Sequence, residues 1–330
     1  MSELLNALDV SKTIRALEPY FGVPIEHVAI EESRPLMGPP GMAGDKVICR
    51  VTVHSQSEVV GEVECYIKRM KQGLREANVY HALLQRKLPV PELYGYYLDQ
   101  QDREVLFLEY LPRIGISYDS EDEISAWISL LARFNATPER VVDQIGLDDR
   151  KWGEWLIDDR VEEFSGLLAC AARSEIGEKL EEFCRTKEKE IHSLKSFART
   201  IHRSISDMPK ALINEELNPA WRDDGTLVGI DMHLTAWAPR CVNLMTLLGE
   251  PQLTPISGRG LPDRDRWAAV YTTALSEAGG PDLQSRQVIR EAHLLWVAFA
   301  FQLTWGLQVA IDGNINWSDD LEHNRQGMRR

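Results

Sequence analysis

The chain has 330 residues, 44% of them apolar and 27% charged, and a formal net charge of −14. That acidic balance argues against a nucleic-acid backbone or an anionic membrane surface as partner. The length allows one large domain or two lobes around a cleft, and the apolar share is ample for a sizeable core.

Residues 3–20 carry an amphipathic helical pattern rather than that of a signal peptide. "HVAIEES" (27–33) predicts a strand, and "RPLMGPPGMAGD" (34–45) a loop with Gly38, Gly41 and Gly44 at a spacing of three. Glycines so spaced suit a lid over phosphates, yet Pro39 and Pro40 remove N–H donors, so an ordinary surface loop fits equally. Alternation in "KVICRVTVHS" (46–55) predicts a strand, with "GEVECYIKRM" (61–70) its hairpin partner. Leu74, Ala77, Val79, Tyr80, Leu83 and Leu84 have the spacing of a helix over 73–88. Pro89 and Pro91 break it, a hairpin begins that turns through "DQQD", and "EVLFLEYL" (104–111) is a strongly apolar strand.

Beyond Pro112 the character changes. Ser120 and the acidic residues after it open a helix over 120–135. The stretch 152–206 is mostly helical in pattern. Two short strands, near 211–213 and 227–231, are then joined over Asp224 and Gly225, and the remainder from about 264 is helical. "HLLWVAFAFQLTWGLQVAI" (293–311) approaches membrane-spanning length, but His293, Gln302, Thr304 and Gln308 suit a buried helix. The five cysteines, Cys49, Cys65, Cys170, Cys184 and Cys241, form no CxxC. They fit small core residues of a reduced, cytoplasmic protein without structural zinc.

This order, β-rich with one helix and then α-rich with an embedded hairpin, resembles the protein-kinase-like fold. In detail it is similar to the aminoglycoside phosphotransferase and choline kinase group over about residues 25–312. The resemblance implies an α+β, bilobal architecture: a small β-rich N-terminal lobe at 1–111, with a five-stranded nucleotide-binding sheet and one helix, and a larger helical C-terminal lobe at 112–330.

The motifs give the resemblance its content. In "CYIKRM" and "LREANVYHALL", Lys68 stands on a strand and Glu76 at the helix that follows; in the kinase pattern such a Lys holds nucleotide phosphates and the Glu holds the Lys. "EVLFLEYLP" is similar to the strand that runs into the hinge, so backbone groups of Glu109, Tyr110 and Leu111 would face the adenine edge. "ISLLARFNATPERV" resembles a helix ending in "ALAxLHA", with Asn135 in place of the usual His. The group writes its catalytic loop as "HGDLHPGN", then a hairpin, then "IDxE"; here "NEELNPAW" and "GIDMH" fall on those positions. Asn214 replaces His, Glu216 replaces the catalytic Asp, Trp221 replaces the metal-binding Asn, and Asn243 in "APRCVNLMTLL" replaces a later Asp. Asp231 matches the Mg2+ ligand.

Glu216 remains a carboxylate and is the candidate base. Indole has no acceptor, so Trp221 cannot hold a metal, and Asn218 or Glu215 would have to supply the missing oxygen. The resemblance therefore implies a divergent ATP- or GTP-dependent phosphotransferase using Mg2+, acting on a hydroxyl of a small molecule or precursor peptide in a biosynthetic or resistance pathway. The alternative is a pseudokinase kept as a binding or scaffold partner of another protein. Different chemistry on the same frame stays open.

Overall fold

The computed structural model describes residues 3–34, 44–140, 200–214, 217–249 and 260–311. Of the helical pattern expected over 152–206, the part up to 199 lies outside them and 200–206 is helical; most of the glycine-bearing loop, Cys170, Cys184, Glu215 and Glu216 also lie outside. The chain divides into two compact units. One is drawn from Met1–Asp148, Ala211–Trp237 and Thr273–Asp282, the other from Asp149–Lys210, Ala238–Thr272 and Leu283–Arg330.

The first unit is built on a five-stranded sheet in the order β1-β2-β3-β5-β4. Its strands are β1 (His27–Arg34), β2 (Gly44–Ser55), β3 (Glu58–Met70), β4 (Leu93–Leu98) and β5 (Glu104–Glu109), with every neighbouring pair antiparallel. The β2–β3 connection has Gln56 and Ser57 both at positive φ, which matches the twist of the strands it joins. Alternation sends Val47, Cys49, Val51, Val53, Cys65, Ile67, Val105 and Phe107 into one core with Leu4 and Leu17.

Those leucines come from α1 (Glu3–Asn6) and α2 (Val10–Phe21). The single helix expected over 3–20 is broken because Asp9 caps α2, its carboxylate accepting from the Lys12 N–H at 3.0 Å. The α2 backbone comes close enough to β4 that a side chain at Gly95 would collide with the Ala16 carbonyl.

Helix α3 (Ala77–Gln85) starts four residues later than its apolar spacing predicts. α4 (Glu121–Asn135) begins as expected, with Ser120 accepting from the Glu123 N–H. The hairpin expected between 211–213 and 227–231 is corrected. β7 (Lys210–Asn214) pairs instead with β10 (Thr235–Pro239). The partner of β9 (Leu227–Ile230) is β8 (Asn218–Trp221), which also pairs with β6 (Arg113–Ile114). A tight turn over Asp224 and Gly225 can join only the residues that flank it. Gly225 sits at φ 81°, and Arg222 and Thr226 close the turn with an N–H···O bond of 2.9 Å.

In the second unit, short helical turns at Val242–Leu244 and Met245–Gly249 are followed by α6 (Ser285–Ile311). Preceding α6 in the chain is α5 (Arg264–Glu277). A buried fork joins Arg240 to Glu291 on α6, at 2.8 and 2.6 Å. Cys241 beside it is fully enclosed, which pushes its thiol well above the ordinary value and suits a core role. Among the described residues, no helix is long and apolar enough to cross a membrane.

Candidate functional site

Lys68 lies on β3 between Ile67 and Arg69, and alternation puts its side chain on the face opposite the core formed with α1 and α2. It is 1% exposed, so its ammonium must be paired. Two carboxylates pair it: Glu76 Oε1 at 2.8 Å and Asp231 Oδ1 at 3.1 Å. The three side chains that the resemblance nominated thus converge, Asp231 from 163 residues beyond Lys68.

Each carboxylate is held by its own backbone. Glu76 stands at the start of α3, and its N–H donates to Glu104 Oε2 at 2.6 Å, with the Ala77 N–H at 3.2 Å. Glu104 comes from β5, so a neighbouring strand caps the helix and fixes where it begins. Glu76 is fully buried. Its Oε1 also accepts from the backbone N–H of His233 at 2.9 Å, with the His233 ring Nδ1 at 3.2 Å. Its Oε2 is buried with no hydrogen-bond partner among the described residues.

Asp231 follows β9 in the left-handed region, at φ 63° and ψ 61°. Few residues other than Gly adopt this conformation, and Asp is among those that do so most readily. Asn214 fixes that turn, donating from Nδ2 to the Asp231 carbonyl at 2.7 Å. Met232–Leu234 then makes one tight turn, closed by the Thr235 hydroxyl donating to the Met232 carbonyl at 2.8 Å.

Electrostatics follow from this packing. Burial alone would raise the Asp231 carboxyl, but the Lys68 ammonium, with Lys46 beyond it, holds it below the ordinary value. Burial would likewise lower Lys68, and Glu76 and Asp231 outweigh it, so the ammonium holds its proton more tightly than usual. Among the described residues, the Lys68 ammonium is thus in direct contact with two carboxylates. Oxygen and nitrogen atoms of Glu76, Asp231 and His233 lie within 4.8 Å of one another. Asp231 is 26% exposed and ionised, which suits a hard divalent cation such as Mg2+.

The other expected residues are placed as follows. Asn218 is exposed at the start of β8, directly across from Ile230, the residue before Asp231. Trp221, at the far end of β8, donates its indole N–H to the Gly115 carbonyl at 2.9 Å and stacks under Arg113, 5.0 Å from the ring centroid. The Glu109 and Tyr110 N–H groups donate to the carbonyls of Glu92 and Glu64, whereas that of Leu111 makes no such bond among the described residues. Asn135, also in place of an expected His, donates to the Leu212 carbonyl at 2.9 Å.

Sequence reasoning missed Glu104 and Arg222. A carboxylate opening the apolar run "EVLFLE" was the available signal for the first. Arg222 gave none, because its partner Glu109 lies 113 residues away.

No protein-family model and no curated protein sequence matches the chain. Solved structures do. Choline kinase from Cryptosporidium parvum Iowa II aligns with a TM-score of 0.50 at 10% identity, over 94% of this chain and 88% of that one. Plasmodium vivax ethanolamine kinase aligns at 0.49 and 10%, over 92% and 82%. An aminoglycoside phosphotransferase from Alicyclobacillus acidocaldarius aligns at 0.47 and 12%, over 90% and 98%. At such identities the likeness is one of fold, and the fold is kinase-like, mixed α+β.

Proposed function

We propose that the chain is a phosphotransferase that moves the γ-phosphoryl group of ATP to a hydroxyl of a small molecule. The observation that carries this reading is the buried Lys68 ammonium shared between Glu76 and Asp231. A triphosphate needs a fixed cation, a flexible lysine needs an anion to fix it, and a second carboxylate is needed for the metal. The fold shared with a choline kinase supports a small-molecule acceptor.

In this reading Lys68 binds phosphate oxygens and Glu76 orients Lys68. Asp231 would hold Mg2+, with Asn218 the second oxygen donor. When bound, the ion neutralises charge on the transferring group. Glu216 accepts the proton of the attacking hydroxyl, and Leu111 offers its N–H to the adenine edge while Glu109 sets the end of β5.

A thermal-shift titration with ATP and Mg2+ tests the donor site. Wild type shifts upward and Lys68→Ala does not; a wild type that ignores ATP sinks the reading. Turnover is then sought with amino-alcohols, aminoglycosides and Ser/Thr peptides. Glu216→Gln abolishes turnover if Glu216 is the base.

A second reading, nucleotide or partner binding without transfer, is favoured by Trp221. Its one donor is engaged by Gly115, and it offers no metal ligand at a position where the resemblance expects one. Retained ATP binding with no turnover on any acceptor would support it.

A further inference from the structure

Arg222 closes the β8–β9 turn, and its guanidinium reaches the end of β5. It donates to Glu109 from Nε at 2.8 Å to Oε1 and 3.0 Å to Oε2, and from Nη2 at 2.9 Å to Oε2. Nη2 also donates to the Val90 carbonyl at 3.0 Å. Glu109 is tied again to Glu92: its N–H donates to the Glu92 carbonyl at 2.9 Å, and its Oε2 accepts from the Glu92 N–H at 3.0 Å. The two charged side chains are only 24% and 19% exposed, far from the freely solvated pairs that contribute little. A planar fork of this kind fixes direction as well as distance.

The position of this fork gives it a role. One end holds Glu109, two residues before the Leu111 N–H. The other belongs to the hairpin whose β8 starts with Asn218 and whose β9 leads into Asp231. We propose that Arg222 is a positioning residue for the purine end of the nucleotide: anchored on the β8–β9 turn, it sets through Glu109 the backbone that meets the base. The inference rests on the phosphotransferase reading above and assigns part of its base binding to a side chain that is placed on neither phosphate nor metal.

Isothermal titration of the full chain with ATP and with inorganic tripolyphosphate, each with Mg2+, separates the two ends of the site. Tripolyphosphate reports the phosphate and metal end, Lys68, Asp231 and Asn218, without the base. In Arg222→Ala and Glu109→Gln, ATP affinity falls about tenfold or more, as expected for losing hydrogen bonds to a charged partner. Tripolyphosphate affinity stays within about twofold, which also shows that the variant is folded. Arg222→Lys, which keeps the charge without the fork, is the milder second variant and shows the same split.

Equal losses for both probes, or no loss for either, overturn the inference and leave the donor reading standing. A wild type that binds tripolyphosphate and not ATP overturns the ATP-dependent reading and the inference with it. A wild type that binds neither overturns both.

Discussion

The side-chain amide of Asn214 donates to the backbone carbonyl of Asp231 at 2.7 Å, across 17 residues of chain. Asn214 is fully buried, and Asp231 sits in the left-handed region, which Asp tolerates better than most residues other than Gly. A histidine could make the same donation, so the replacement of His by Asn keeps a donor where one is needed. Asn135 repeats the pattern, donating to the Leu212 carbonyl at 2.9 Å.

Asn214→Ala should destabilise the fold by about 1–3 kcal/mol, the cost of leaving a buried polar group unmatched. Asn214→Asp should cost more, since an ionised carboxylate only accepts and would face a carbonyl. Urea denaturation of both variants checks the order. An alanine variant as stable as wild type would remove Asn214 from this role.

Lys68→Met leaves two carboxylates with no cation between them, one of them fully buried. The expected loss is about 3–5 kcal/mol, because the remaining charge is uncompensated. Adding Glu76→Gln to Lys68→Met should recover part of it. A double-mutant cycle in chemical denaturation measures the coupling, and strict additivity would contradict the pairing.

The pH dependence has a definite sign on each side. The Asp231 pKa is depressed, so its pairing stabilises at neutral pH and is lost as pH falls through the depressed folded value. The Lys68 pKa is raised, so its contribution is complete below the ordinary lysine value of 10.5 and is lost as pH rises through the higher folded value. The stability gap between wild type and Lys68→Met should therefore be flat through neutral pH and shrink towards both extremes. A gap that stays constant into strong acid would contradict the Lys68–Asp231 pair.

Glu104→Ala removes the carboxylate that accepts from Glu76 and Ala77 and should cost about 1–2 kcal/mol, as for loss of a helix cap. Glu104→Gln keeps an acceptor and should retain most of the stability. Hydrogen exchange at the amides of residues 76 and 77 gives the local readout: strong acceleration in Glu104→Ala and little in Glu104→Gln. Equal protection in all three proteins would show that the cap does nothing.

Much of the architecture was legible because period and punctuation were strong. Val47, Cys49, Val51 and Val53 alternate and form one wall of the core. Ser120 caps α4 where the acidic turn predicted it. The strand register near the catalytic loop was not legible: β7 and β8 are both short and half apolar, and their partners are chosen by turn geometry and by β6 and β10, which lie far away in sequence. The beginning of α3 was hidden for a similar reason, since Glu104 is 28 residues from the amide it caps.

By itself the sequence determined most strands of the five-stranded sheet and the acidic balance, since periodicity is a property of neighbouring residues, and through its resemblance to a known group it nominated Lys68, Glu76 and Asp231. Only the tertiary structure decided that those three meet, that Asn214 and Asn135 stand in as donors, that Trp221 is anchored to Gly115 and that Arg222 binds Glu109. Apart from the Lys68–Glu76 pair, eight residues apart, each is a contact between segments remote in the chain. Its existence depends on strand pairing and burial, which no short stretch of residues encodes.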